Sequence, residues 1–134
     1  MSYHSFEDLK VWKKALKLSI DIYKSIKNSK EFELKNQLLR SAISIPSNIA
    51  EGIERDSAKD SKRFIKIALG SSAELRTQLY IAKSVEIIDK DVASGFIEES
   101  RGISKMLFGL IKYLDKIDNK KSLREYIVKY EANV

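Results

Sequence analysis

Apolar side chains recur along this chain at three- and four-residue intervals, the spacing that gathers them on one face of an α-helix. The clearest run is Phe96, Ser100, Ile103, Leu107, Leu110, Leu114 and Ile117, whose alternating steps form a sustained heptad seam. Leu34, Leu38, Ala42, Ile45, Ile49 and Ile53 define a second face. Phe64, Ala68, Leu75, Leu79 and Ala82, supplemented by Ile65 and Ser72, define a third. Near the start, Leu9, Trp12, Leu16, Tyr23 and Ile26 keep the spacing, with Ser19 in the missing step. The pattern predicts helices over about Phe6 to Asn28, Glu31 to Glu54 and Ala58 to Ile87, and a fourth that follows Asp89-Lys90-Asp91 and ends near Ile117. Leu123, Tyr126, Ile127 and Tyr130 allow a short fifth helix in the tail.

Local signals support these boundaries. Ser5 with Asp8, and Ser57 with Asp60, have the spacing of a capping pair, in which side chains satisfy unpaired backbone groups of the first turn. Pro46 falls inside the second helix, where its ring removes one donor and crowds a carbonyl. The apolar phase continues across it, which favours a kink over a break. Gly70 lies mid-helix at a cost near 1 kcal/mol relative to alanine, so a close neighbour is expected there. Short connections force sequential helices antiparallel, giving an all-α, up-down-up-down four-helix bundle over residues 1–120 with a C-terminal tail at 121–134.

Composition agrees with this picture. A chain of 134 residues with 43% hydrophobic and 33% charged side chains suits one soluble domain. One proline and five glycines argue against a turn-rich β architecture. Cysteine is absent, which excludes disulfides and thiolate metal sites, and the start lacks the apolar run of a signal peptide. A cytoplasmic location with no membrane partner is expected. The formal net charge of +6 fits either a polyanionic partner or simply solvated lysine faces. Lys10, Lys13, Lys14, Lys17 and Lys24 form a basic flank on the first helix that could follow a phosphate backbone.

Two uncharged stretches stand out in so charged a chain: Ser41 to Ala50, and Ile67 to Ala73. Both are rich in small residues, and the first carries a polar stripe of Arg40, Ser44, Asn48 and Glu51 opposite its apolar face. We expect the stretches to face each other or a neighbouring subunit, with Arg40, Ser44, Asn48, Glu51 and Glu74 hydrogen-bonded as a structural network. Pro46, Gly52, Gly70 and Ser71 are the expected positions of close helix packing. Glu51 and Glu74 could in principle do acid-base work, but no nucleophile, electrophile or metal ligand accompanies them. His4 is the single histidine, so neither a Ser-His pair nor a histidine metal site can be assembled. Nucleotide-binding glycine motifs are missing too. No catalytic residue, metal or cofactor is expected.

Phe6-Glu-Asp-Leu-Lys-Val-Trp12, then Arg40-Ser41 through Ser44-Ile-Pro-Ser-Asn-Ile-Ala-Glu-Gly52, then Ile67-Ala-Leu-Gly-Ser71 with Glu74-Leu75 and Thr77, resemble the 23S ribosomal RNA intervening-sequence protein family. The likeness runs from about Phe6 to Leu114. It implies a small bacterial four-helix bundle, often a homopentamer, similar in shape to the nucleic-acid-binding accessory protein of diversity-generating retroelements. No catalytic residues come with the resemblance, and the role it implies for Arg40, Ser44, Pro46, Asn48, Glu51, Gly52, Gly70, Ser71 and Glu74 is structural. Two departures fall at turns: Glu54 where a glycine is usual before the arginine, and Val85-Glu86 where a leucine-glycine pair is usual. The expected function is a non-enzymatic homo-oligomer that binds RNA or DNA, or a nucleic-acid-processing partner, through basic surfaces; the alternative is a protein-interaction scaffold without nucleic-acid affinity.

Overall fold

A computed structural model describes residues 5–117 and 122–134, so His4 lies outside the described residues. A single 3-10 turn, Phe6–Asp8, precedes four long helices: α1 (Lys10–Ile26), α2 (Phe32–Glu54), α3 (Ala58–Ser84) and α4 (Lys90–Lys116). A shorter helix, α5 (Leu123–Ala132), follows. The Ser5–Asp8 capping box is present, but it caps the 3-10 turn, and α1 begins after Leu9 leaves helical geometry. Ser57 accepts from the Asp60 amide at the start of α3. α2 runs unbroken through Pro46.

Cross-helix hydrogen bonds fix the topology. Ser19 meets the Ala42 carbonyl, Ser41 meets Glu74, Ser44 meets Ser71, and Ser72 meets Ser100. Numbers rise on one helix as they fall on the other for α2–α3 (Ser41 with Glu74, Ser44 with Ser71) and for α3–α4 (Lys62 with Asp115, Arg76 with Ser104), so these pairs are antiparallel. α1 also packs on α4, which closes the four helices around one core. That core holds the predicted faces of α2, α3 and α4 nearly intact, from Leu38 and Ile49 through Ile65 and Leu79 to Ile103 and Leu107.

The first helix departs from expectation. Its buried face is Val11, Ala15, Leu18, Ile22 and Ile26, with Ser19 tucked beside it. Of the stripe expected from the sequence, Leu9 and Ile26 are buried and Trp12 is partly so, but Leu16 and Tyr23 are 38% and 53% exposed. The physical reason is that α1 carries two overlapping apolar stripes, and periodicity alone does not say which of them turns inward.

α5 caps one end of the bundle. Leu123 and Ile127 are buried, Tyr113 donates to the Tyr126 carbonyl at 2.9 Å, and the Tyr113 and Tyr130 rings lie 4.9 Å apart. Burial pushes both phenols above the ordinary tyrosine value. Asp56, in the left-handed region at φ 51°, accepts from Ser122 and from the Arg124 amide, tying the α2–α3 turn to α5.

Candidate functional site

The two uncharged stretches do lie against each other. Ser41 donates to Glu74 Oε1 at 2.6 Å, and the hydroxyls of Ser44 and Ser71 are 2.8 Å apart. Asn48 Nδ2 donates to the Ser44 carbonyl at 2.8 Å and to its hydroxyl at 2.9 Å. Small side chains at these positions let α2 and α3 approach while the hydroxyls of Ser41, Ser44 and Ser71 keep partners. The expected network is only partly gathered, however. Glu51 turns away to pair with Arg55 at 3.3 Å, and Arg40 is exposed on the outer edge. The two carboxylates therefore do not converge on a common point.

α2 and α3 approach closely at Gly52. A Cβ there would sit 2.9 Å from Phe64 Cβ, closer than a real Cβ comes, and a tight 3.1 Å from the Ser61 carbonyl oxygen. Gly70 is different: a Cβ built on it meets no described atom within 4 Å, so the near neighbour expected from the sequence is not found within the chain. Pro46 is buried and Ser71 half-buried.

A second polar layer, between α3 and α4, was not anticipated. Ser72 Oγ lies 3.0 Å from Ser100 Oγ and 2.8 Å from Ser104 Oγ, and Arg76 Nη1 donates to Ser100 and Ser104 at 3.0 and 3.1 Å. Serines at seam positions read as gaps in an apolar face, and the spacing alone does not mark Arg76 as their partner.

The outer face of α1 and α2 is apolar. Trp12, Leu16, Ile20 and Tyr23 on α1, with Leu39, Ile43 and Pro46 on α2, line a shallow groove of about 520 Å³. Leu16, Ile20, Tyr23 and Ile43 are 38%, 44%, 53% and 55% exposed. Ile43 and Ser47 are the outward side of the neutral α2 stretch, so that edge of the stretch is uncovered in the single chain.

The α1 lysines fare unevenly as an anion surface. Lys10 bonds to the carbonyl oxygen of Val134, and Lys17 to Asp21 at 2.6 Å. The Asp21 hydrogen bond and charge, helped by Glu99, hold the Lys17 ammonium above the ordinary lysine value. Lys14 and Lys17 also share a cleft with Glu98 and Glu99 of α4. Lys24 borders the apolar groove, and Lys13 is exposed.

No cluster of three or more metal-ligating side chains occurs among the described residues. None of their helices is long and apolar enough to cross a membrane.

No curated protein matches the chain. Among solved structures it is similar to a protein of unknown function from the S23 ribosomal protein family of Bacteroides thetaiotaomicron. The two are 31% identical over 76% of this chain and 98% of the other, with a TM-score of 0.71. The family described as 23S rRNA-intervening sequence protein matches residues 7–109. With the bundle, the paired neutral stretches and this match over most of its length, the chain belongs to the 23S rRNA-intervening sequence protein family.

Proposed function

We propose that this protein is a non-enzymatic homo-oligomer, assembled through the α1–α2 face, whose basic surfaces bind nucleic acid. The observation that carries the reading is the uncovered apolar groove between α1 and α2. Four large apolar side chains from 38% to 55% exposed on one face are hard to reconcile with a free monomer in a chain that is one-third charged. A second copy of the chain is the occupant, because the face continues directly into the neutral stretch of α2 that a charged partner would not match. The family resemblance implies five copies. Gly70, open within the chain, adds a position where a sister helix has room to approach.

Nucleic-acid binding draws support from the net charge of +6 and from the ribosomal RNA context in the family's description. A scaffold role, without catalysis, agrees with carboxylates engaged by Ser41 and Arg55 and held apart from each other. Size-exclusion chromatography with light scattering, run with and without single-stranded RNA in low salt, tests both halves. The expected result is a mass several times 15.4 kDa that carries RNA into the protein peak. A monomeric mass would overturn the assembly. A multimer that leaves RNA behind would favour a protein-interaction scaffold.

A further inference from the structure

The outward stripes of α3 and α4 run side by side and gather cations that the sequence reading did not single out. Lys62, Lys66 and Arg76 lie along α3, and Arg101, Lys105 and Lys112 along α4, each at the three- and four-residue spacing of one helix face. Contacts between the helices show that the stripes adjoin: Lys62 reaches Asp115 at 2.7 Å, Arg76 reaches Ser104 at 3.1 Å, and Arg101 Nη2 donates to the Tyr80 hydroxyl at 2.6 Å. Among the described residues, Asp115 pairs with Lys62 and Glu98 with Arg101, and Glu86 and Asp89 share a cleft with Tyr80 at the far end. Lys66, Arg76, Lys105 and Lys112 have no carboxylate within ion-pair distance among the described residues. On α1, by comparison, Lys17 is bonded to Asp21 and lies near Glu99.

Two aromatic rings interrupt the cations. Phe108 is 52% exposed with Lys112 Nζ 4.9 Å from its ring centre, and Tyr80 is 44% exposed at the opposite end. A ring held open beside an ammonium is a platform for a base whose phosphate the ammonium meets. Duplexes hide their base faces, so they could use the cations but not the rings. From Lys62 to Arg76 the surface extends about 21 Å at 1.5 Å per residue, enough for a short unpaired segment.

We infer that the α3–α4 outer groove binds single-stranded nucleic acid, with Lys66, Arg76, Lys105 and Lys112 at phosphates and Phe108 stacking a base. This rests on the nucleic-acid half of the proposed function and assigns it to a surface other than α1. The test is fluorescence anisotropy of a labelled twelve-nucleotide oligouridine with the full chain, across salt concentrations. Four phosphate contacts predict that log affinity falls against log salt with a slope of about −3. Lys105→Glu with Lys112→Glu should weaken binding at least tenfold. Phe108→Ala should weaken it about fivefold or more with the salt slope kept, and Phe108→Tyr should bind like the unaltered protein. Circular dichroism and mass must match the parent for each variant. Unchanged affinity in the α4 variants, with loss in Lys13→Glu, Lys14→Glu, would place binding on α1 and overturn this inference alone. Tighter binding of a duplex of equal length would also overturn it. No binding by the unaltered protein at low salt would remove the nucleic-acid function itself.

Discussion

Replacing Glu86 with glycine should stabilise this protein. Glu86 sits just past α3 at φ 63°, a left-handed conformation that crowds the Cβ of any L-residue against its carbonyl. The surrounding bonds explain why it stays there: Ile87 N donates to Ala82 O at 3.0 Å and Glu86 N to Lys83 O at 3.3 Å, the two bonds of a Schellman stop. The turn is needed to send the chain into α4, and the residue bears the strain. A non-glycine left-handed residue costs about 1 to 2 kcal/mol, and the greater freedom of glycine in the unfolded chain returns about 0.5 to 1 of that. A net gain of about 0.5 to 1 kcal/mol corresponds to a rise in Tm of about 2 to 4 °C at this size. Glu86 also places a negative charge at the negative end of α3, so Glu86→Gln must be measured beside Glu86→Gly to separate charge from backbone. Thermal and urea unfolding should rank Glu86→Gly above Glu86→Gln. Equal stability of the two, or a loss on going to glycine, would refute the backbone argument.

Gly52→Ala should cost about 1 to 2 kcal/mol, because a Cβ 2.9 Å from Phe64 Cβ forces α2 and α3 apart by more than alanine's helix propensity recovers; a urea midpoint at or above the parent's would contradict this. Ser61→Ala should raise stability by about 1 kcal/mol, since Ser61 is fully buried and its hydroxyl has no hydrogen-bond partner among the described residues. A lower melting temperature would mean that the hydroxyl has a partner in solution. Asp115 is held below the ordinary carboxylate value by its hydrogen bond to Lys62, with the charges of Lys62 and Lys66 adding to it. Its contribution is therefore complete above about pH 4 and fades as pH falls through the lowered value. Asp115→Asn should separate from the parent in unfolding stability at neutral pH and converge with it in acid; a gap that stays constant with pH would count against the pair.

Much of the bundle was legible in the sequence because α2, α3 and α4 each carry one unambiguous apolar stripe. Leu38 through Ile53, Phe64 through Ala82 and Phe96 through Leu114 are buried where the period places them. α1 was harder because Leu16 and Tyr23 share its surface with Val11, Ala15, Leu18 and Ile22, and both sets fit a helix. The misplaced stripe is the one that bears on assembly, since a face apolar enough to mimic a core is one that another chain can cover. The α2–α3 polar layer could be read because its residues lack charge in a highly charged chain. The Ser72, Ser100 and Ser104 layer could not, because serines in a seam look like weak apolar positions until their arginine is seen. The glycine usual at position 86 pointed to the turn that the structure places in left-handed geometry. The α3–α4 cation stripes were available to the same periodicity, but only the contacts between the helices join them into one surface.

The account depends most on the α1–α2 groove being covered in solution, and Trp12, the only tryptophan, reports from that groove. Quenching of its fluorescence by acrylamide should be weak in the parent and several-fold stronger in Ile43→Glu, which places a charge on the same face without touching the core. Equal, efficient quenching of Trp12 in both proteins would show that the face is open to water and that no sister copy lies on it.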